Sequence, residues 1–214
     1  MTPMEGGRLL VKICGITSPE DALLAAEAGA DAVGLVFWPA SPRHVGVPMA
    51  RRISEALPAS VVRVGVFVDA PADDMARAAD EARLDLLQLH GSEPPEALRS
   101  LPRRAWKAVR VGRDFVVADV LRYAGRVAGI LLDSRGDGAP GGTGKTFDWT
   151  LAREVRKGPS FLVLAGGLDP GNVAAAIAAV RPDGVDVSSG VEASPGRKDP
   201  GRMRAFVAAA RSIP

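Results

Sequence analysis

Eight short apolar runs recur along this 214-residue chain at an almost fixed interval, and that recurrence limits the possible folds more than any other feature. They lie at 9–13 (LLVKI), 31–37 (DAVGLVF), 61–68 (VVRVGVFV), 84–89 (LDLLQL), 105–111 (AWKAVRV), 128–133 (AGILLD), 160–165 (SFLVLA) and 184–188 (GVDVS). Successive starts are 22, 30, 23, 21, 23, 32 and 24 residues apart. Runs this short, bounded by Gly, Pro and Asp, read as strands. Their near-continuous Val, Ile and Leu content leaves no wet face, which is the pattern of a parallel sheet covered on both sides. Between them, helices open on start signals: Ser18-Pro19-Glu20-Asp21 ahead of ALLAAEAGA, Asp69 to Pro71 ahead of ADDMARAADEA, and Asp169-Pro170 ahead of GNVAAAIAAV. Eight strand–helix units predict an α/β fold of the (β/α)8 TIM-barrel class, a parallel eight-stranded closed sheet ringed by helices. An open doubly wound sheet is the structural alternative, but it places a Gly-rich turn after its first strand, where Cys14-Gly15-Ile16-Thr17 stands with no GxGxxG.

No Pro/Gly/Ser linker divides the chain, so residues 1–214 are expected to form a single barrel domain. The longest irregular stretch, 134–147 (SRGDGAPGGTGKTF), is expected to be a functional loop. Charge excludes further classes. With 27 Lys and Arg against 25 Asp and Glu, both signs interspersed, there is no basic stripe for nucleic acid. No apolar run approaches the roughly 18 residues of a membrane span. The lone Cys14 makes no internal disulfide, and no charged-then-apolar leader precedes it, so a cytoplasmic location is expected.

In a barrel of this class chemistry sits at the C-terminal ends of the strands and in the loops after them. Those ends are polar here: Lys12 and Cys14 on the first, a Ser41-Pro42-Arg43 loop after the second, Gln88 and His90 on the fourth, Asp133 on the sixth, Asp186 and Ser188 on the eighth. Side chains two apart on a strand share a face, so Lys12 with Cys14, Gln88 with His90 and Asp186 with Ser188 each point the same way. Plainer readings stand beside these. A lone Cys is commonly a small buried hydrophobe, Asp133 could cap a turn, His90 could be a satisfied core histidine, Lys12 could only pair with Asp186, and Arg43 could be a solvated loop cation. Arg63 and Lys107 sit at the starts or middles of their strands and are read as structural. Gly-rich turns end the seventh strand (Ala165-Gly166-Gly167) and the eighth (Ser188-Ser189-Gly190), the pair of loops where barrels commonly bind phosphate through backbone N–H groups. The segment from Ala139 to Thr146 ends in Gly144-Lys145-Thr146 like a P-loop, but it has Ala where the first Gly belongs and does not directly follow its strand. A small P-loop NTPase is therefore the weaker reading.

Taken together, VKICGIT (11–17), FWPASPRHV (37–45), VGVFVD (64–69), LQLHG (87–91), LLDS (131–134), GGTGKTFDW (141–149), LAGGLDPGNV (164–173), DVSSGVE (186–192) and GRKDP (196–200) span nearly the whole chain. In these segments the chain resembles the phosphoribosylanthranilate isomerases of tryptophan biosynthesis. The resemblance implies a barrel isomerase that carries out an Amadori rearrangement of N-(5-phosphoribosyl)anthranilate to 1-(2-carboxyphenylamino)-1-deoxyribulose 5-phosphate. It makes Cys14 the general base and Asp133 the general acid, puts Arg43 near the anthranilate end, and puts Gly166, Gly167, Ser188 and Ser189 around the phosphate. Lys12, His90 and Asp186 are read as pocket lining and electrostatic support. No cofactor and no metal are implied, because the iminium formed on ring opening is itself the electron sink. The partner is a small phosphosugar, with the chain a monomer or homodimer. Another phosphosugar-binding barrel isomerase is the alternative, but the histidine-pathway relative is expected to carry a carboxylate where Cys14 stands. A free thiol with pKa about 8.5 is only a few per cent ionised at pH 7, so Lys12 is expected to help lower it.

Overall fold

A computed structural model describes residues 7–112, 114–134, 148–158 and 160–213. It contains a closed barrel of eight parallel strands in sequential order: β1 (Leu10–Cys14), β2 (Ala32–Val36), β3 (Val62–Phe67), β4 (Leu86–Leu89), β5 (Ala105–Val111), β6 (Gly129–Ser134), β7 (Leu162–Leu164) and β8 (Gly184–Val187). β8 pairs with β1 to close the ring, Lys12 opposite Asp186. Every apolar run is a strand, displaced by no more than two residues at either end. The strand starts are fixed by side chains as well as by the ladder. Asp31, Asp85 and Asp183, each just before an even-numbered strand, accept from the backbone N–H of Val11, Arg63 and Leu162 on the preceding strand at 2.8 Å. A carboxylate on an otherwise unpaired N–H is a strong, directional bond, and it helps to set the register.

Seven α-helices cover the barrel among the described residues: α1 (Pro19–Glu27), α2 (Val47–Ala56), α3 (Ala72–Glu81), α4 (Val117–Leu121), α5 (Trp149–Arg156), α6 (Val173–Val180) and α7 (Pro200–Arg211). One of the expected start signals works as a side-chain cap, the Ser18 hydroxyl accepting from the N–H of Asp21 with Pro19 in the first turn; α3 opens after Pro71 and α6 after Asn172 without one, and Asp169 instead accepts from the N–H groups of Gly171 and Asn172 in the turn ahead of α6. The fourth unit departs from the expected pattern. Its connection is a 3-10 helix at Pro95–Ser100, a six-residue segment that opens on Pro94 and Pro95. No helix among the described residues is long and apolar enough to cross a membrane.

Alternation sorts each strand into two apolar shells. Val11, Ile13, Val33, Leu35 and their counterparts face the helices, while Leu10, Ala32, Val64, Leu86, Trp106, Leu131 and Val163 fill the barrel interior. The fully buried Trp106 ring plugs the interior beside Phe161, centroids 6.0 Å apart, in space left by Gly129, where a Cβ would stand 2.9 Å from the indole. Arg63 and Lys107 are structural, as read. Arg63 donates to the carbonyls of Ser54, Leu57 and Val61, which tie down the C-terminal end of α2. Lys107 is buried on Glu93 at 2.7 Å and on the carbonyl of Gly91. The 135–147 loop, including Lys145, lies outside the described residues. The helix that follows it begins at Trp149, capped by Asp148 on the N–H of Thr150. A P-loop opens its helix on the Gly-Lys-Thr itself, so this start speaks against a nucleotide cradle.

Candidate active site

Toward the C-terminal ends of the strands the interior turns from apolar to polar, as the inward positions pass from Leu10 to Lys12 and Cys14, from Leu86 to Gln88, from Leu131 to Asp133 and from Gly184 to Asp186. They open into a pocket walled by both polar and apolar side chains, the kind of concave site that takes a small organic ligand. Of the ten expected site residues, nine line it: Cys14, Arg43, His90, Asp133, Gly166, Gly167, Asp186, Ser188 and Ser189. Lys12 does not. It was expected as pocket lining but lies wholly buried beneath the floor, its Nζ 2.9 Å from Asp186 Oδ1, so it acts through its neighbours.

Glycine makes room at two points. A Cβ on Gly34 would stand 2.6 Å from Cys14 Sγ and 3.0 Å from Lys12 Nζ, so β2 must be bare where β1 carries its thiol and ammonium. Gly15 has φ +75°, and a Cβ there would run into the stem of Arg43, which crosses over the end of β1.

Three polar groups face the pocket. Around the thiol, burial pushes the pKa of Cys14 above its ordinary value, and although Lys12 pulls it down, the net shift is upward. Lys12 does help to lower the thiol as expected, but it reduces the rise without reversing it, because the cost of desolvating a thiolate exceeds the attraction of one ammonium already engaged by Asp186. Burial also works against the Lys12 charge, but Asp186 and Cys14 outweigh it, and Lys12 sits above its usual range. Burial pushes the Asp186 carboxyl up against the pull of Lys12. A buried pair of this kind loses heavily when one partner is removed. Asp186→Ala is expected to cost about 3 kcal/mol or more of stability, seen as a lowered midpoint in denaturant, with part recovered when Lys12 is also replaced by Met; an unchanged midpoint would contradict the pairing.

The second group runs from β4 to β6. Gln88 Nε2 lies 3.3 Å from His90 Nδ1, and His90 Nε2 lies 3.2 Å from Asp133 Oδ2. The latter contact is close but poorly directed for a hydrogen bond, and Gln88 Oε1 is buried with no partner among the described residues. His90 is thus set against Asp133 and is not an isolated core histidine.

The third group was missed in the sequence. Arg43 is not a solvated cation: its Nε and Nη2 each donate at 2.7 Å to the two carboxylate oxygens of Glu192. Glu192 in turn receives Lys198 Nζ at 2.9 Å. The Glu192 hydrogen bond raises the Arg43 pKa, burial opposing it. For Glu192, burial works against the carboxylate, but Arg43 and Lys198 prevail and hold it below the usual range. Burial draws the Lys198 ammonium down, Glu192 opposing. Glu192 and Lys198 lie in a two-stranded hairpin, β9 (Glu192–Ser194) and β10 (Arg197–Lys198), that no periodicity announces. The only signal was their place in the DVSSGVE and GRKDP segments. Trp38, which also lines the pocket, was likewise passed over within FWPASPRHV.

The Gly166 and Gly167 turn follows β7 with φ +83° and +65°, backbone that turns successive N–H groups to one side. Ser188 and Ser189 follow β8, with a 3-10 turn at Ser189–Val191. Among the described residues no three His, Cys, Asp or Glu side chains group as metal ligands.

The sequence model of the family described as N-(5'phosphoribosyl)anthranilate (PRA) isomerase matches residues 11–209. The chain belongs to this isomerase family. Curated relatives named N-(5'-phosphoribosyl)anthranilate isomerase include that of Geobacter sp. strain M21, 52% identical over 203 residues covering 95% of this chain and 98% of the relative. That of Geobacter sulfurreducens is 51% identical over 202 residues, covering 94% and 98%. Among solved structures, the phosphoribosyl anthranilate isomerase from Thermotoga maritima superposes with a TM-score of 0.90 at 45% identity, covering 96% of this chain and all of the other. A family structure in complex with reduced 1-(o-carboxyphenylamino)-1-deoxyribulose 5-phosphate gives 0.87 at 44% identity with the same coverage.

Proposed function

We propose that this chain converts N-(5-phosphoribosyl)anthranilate to 1-(2-carboxyphenylamino)-1-deoxyribulose 5-phosphate, with Cys14 as base and Asp133 as acid. The observation that carries this reading is that one thiol and one carboxyl, from β1 and β6 on different sides of the barrel, line the same pocket. An Amadori rearrangement needs those two groups. Asp133 gives its proton to the furanose ring oxygen, the C1'–O bond breaks, and an iminium forms at the anthranilate nitrogen. The Cys14 thiolate takes the proton from C2', and the electrons left behind neutralise the iminium to an enolamine, which tautomerises to the ketone. His90, 3.2 Å from Asp133, would pack against the acid and limit its movement. Lys12, beneath Cys14, favours the thiolate form that the base needs before it takes the proton.

Gly166, Gly167, Ser188 and Ser189 would bind the 5-phosphate, and Arg43 the carboxylate of the anthranilate ring, leaving the reacting carbons between them. All these residues come from one chain, which supports an activity held within one barrel domain, whether as monomer or homodimer, and the single free Cys14 suits a cytoplasmic setting. The deciding assay makes the substrate in place from anthranilate and follows its loss of fluorescence; no loss with purified protein would reject the reading.

The phosphate assignment has its own expected result. Inorganic phosphate should compete with substrate, and Gly167→Leu should raise KM at least about tenfold with kcat far less affected, since a side chain at positive φ distorts the turn and fills its anion-binding side. An unaltered KM would place the phosphate elsewhere.

A further inference from the structure

The assignment of Arg43 to a substrate carboxylate leaves open how a cation already in an ion pair can bind a second anion. A guanidinium has five N–H donors along more than one edge. Glu192 takes the side edge, Nε and Nη2, in a bidentate bond, which leaves the end fork of Nη1 and Nη2 free to meet a planar carboxylate. The stem of Arg43 is confined over Gly15, so little freedom remains in which edge is shown to the pocket. Glu192 is itself fixed. Lys198, 2% exposed, bonds Oε1; the N–H of Gly196 approaches the same oxygen at 3.4 Å; and Arg202 donates to the Glu192 carbonyl at 2.6 Å. Lys198 Nζ also donates to the carbonyl of Ser188 at 3.1 Å, and its backbone N–H to Asp21 at 3.0 Å, which anchors the hairpin to the barrel rim.

Charge completes the argument. Arg43 with Glu192 alone would be neutral and a poor trap for an anion. Lys198 brings the trio to one net positive charge, so Arg43, which lines the pocket, carries an unspent attraction on its free fork.

We propose that Glu192 and Lys198 are positioning residues that make Arg43 specific for an aglycone carrying a carboxylate, the first by choosing the guanidinium edge and the second by keeping the cluster positive. This rests on the isomerase reading above and adds to it a specificity device built outside the reacting centre.

The test compares two substrates, N-(5-phosphoribosyl)anthranilate and N-(5-phosphoribosyl)aniline, which lacks the carboxylate. Glu192→Gln and Lys198→Met are each expected to raise KM for the first about tenfold, with kcat within a few-fold, and to raise it for the second severalfold less, Lys198→Met retaining the part of its effect that passes through Ser188, so that the preference between them falls. Arg43→Met should lose the preference as well, and the Arg43→Met/Glu192→Gln double variant should be no worse than Arg43→Met alone. If Glu192→Gln fails to fold, Lys198→Met decides. Equal losses on both substrates would show a merely structural role and overturn the inference, as would an unchanged preference. A wild-type protein that turns over neither substrate would overturn the isomerase reading and this inference with it; an active wild type with the wrong variant pattern would overturn the inference alone.

Discussion

Cys14→Ala is expected to lower kcat by at least about 10², with KM within several-fold, because the thiolate acts on the C2' proton in the transition state and contributes little to ground-state binding. Cys14→Ser should fail similarly, since a hydroxyl is far less acidic than a thiol. The pH dependence follows from the burial of the thiol. The base works as the thiolate, and its pKa in the unliganded protein is raised. The thiolate fraction therefore grows as pH rises, and the ascending limb of kcat/KM should lie on the alkaline side of an ordinary cysteine's. The residual rate of Cys14→Ala should lack that limb. A variant with wild-type kcat on authentic substrate would reduce Cys14 to packing and move the search for a base to His90 and Asp186.

Asp133→Asn should be about as damaging, again by at least about 10² in kcat, since the amide keeps the shape and the contact with His90 but cannot deliver a proton to the ring oxygen. Circular dichroism and denaturation midpoint should stay close to wild type, because Asp133 is no part of the apolar interior. Steady-state kinetics over matched substrate ranges separates the two outcomes that matter. Loss in kcat at nearly constant KM fits an acid, whereas loss confined to KM would make Asp133 only a binding group.

The barrel was legible because its strands carry their own punctuation. Asp31, Asp85 and Asp183 mark strand starts by bonding the neighbouring strand's backbone, and the apolar runs between them are too short for helices. The 3-10 connection at Pro95–Ser100 was not legible as a departure, since an average period conceals one shortened unit. Site residues on strands could be read by alternation, which put Cys14 with Lys12 and Gln88 with His90. What alternation cannot show is depth. Lys12 and Cys14 share a face, yet one lies under the floor and the other in the pocket. Nor does it show the balance of burial against charge, which is why the thiol is raised although an ammonium sits beside it. Glu192 and Lys198 stayed hidden because a hairpin of three and two residues has no period and its acid meets Arg43 across 149 positions of sequence.

The pairing of β1 with β8 has a consequence for how the chain comes to life. Lys12 stands on the first barrel strand and its counter-charge, Asp186, on the eighth, 174 positions further along, so an ammonium destined for the interior has nothing to neutralise it until the last barrel strand is in place. Any collapse that buried Lys12 before then would leave that charge unpaired in an apolar enclosure, at a cost of several kcal/mol. The same late arrival brings Ser188, Glu192 and Lys198, so the site and the closure of the cylinder come into being in one event. The strand that closes the cylinder is thus the one that completes the rim of the pocket, and closure of the sheet is tied directly to competence for chemistry.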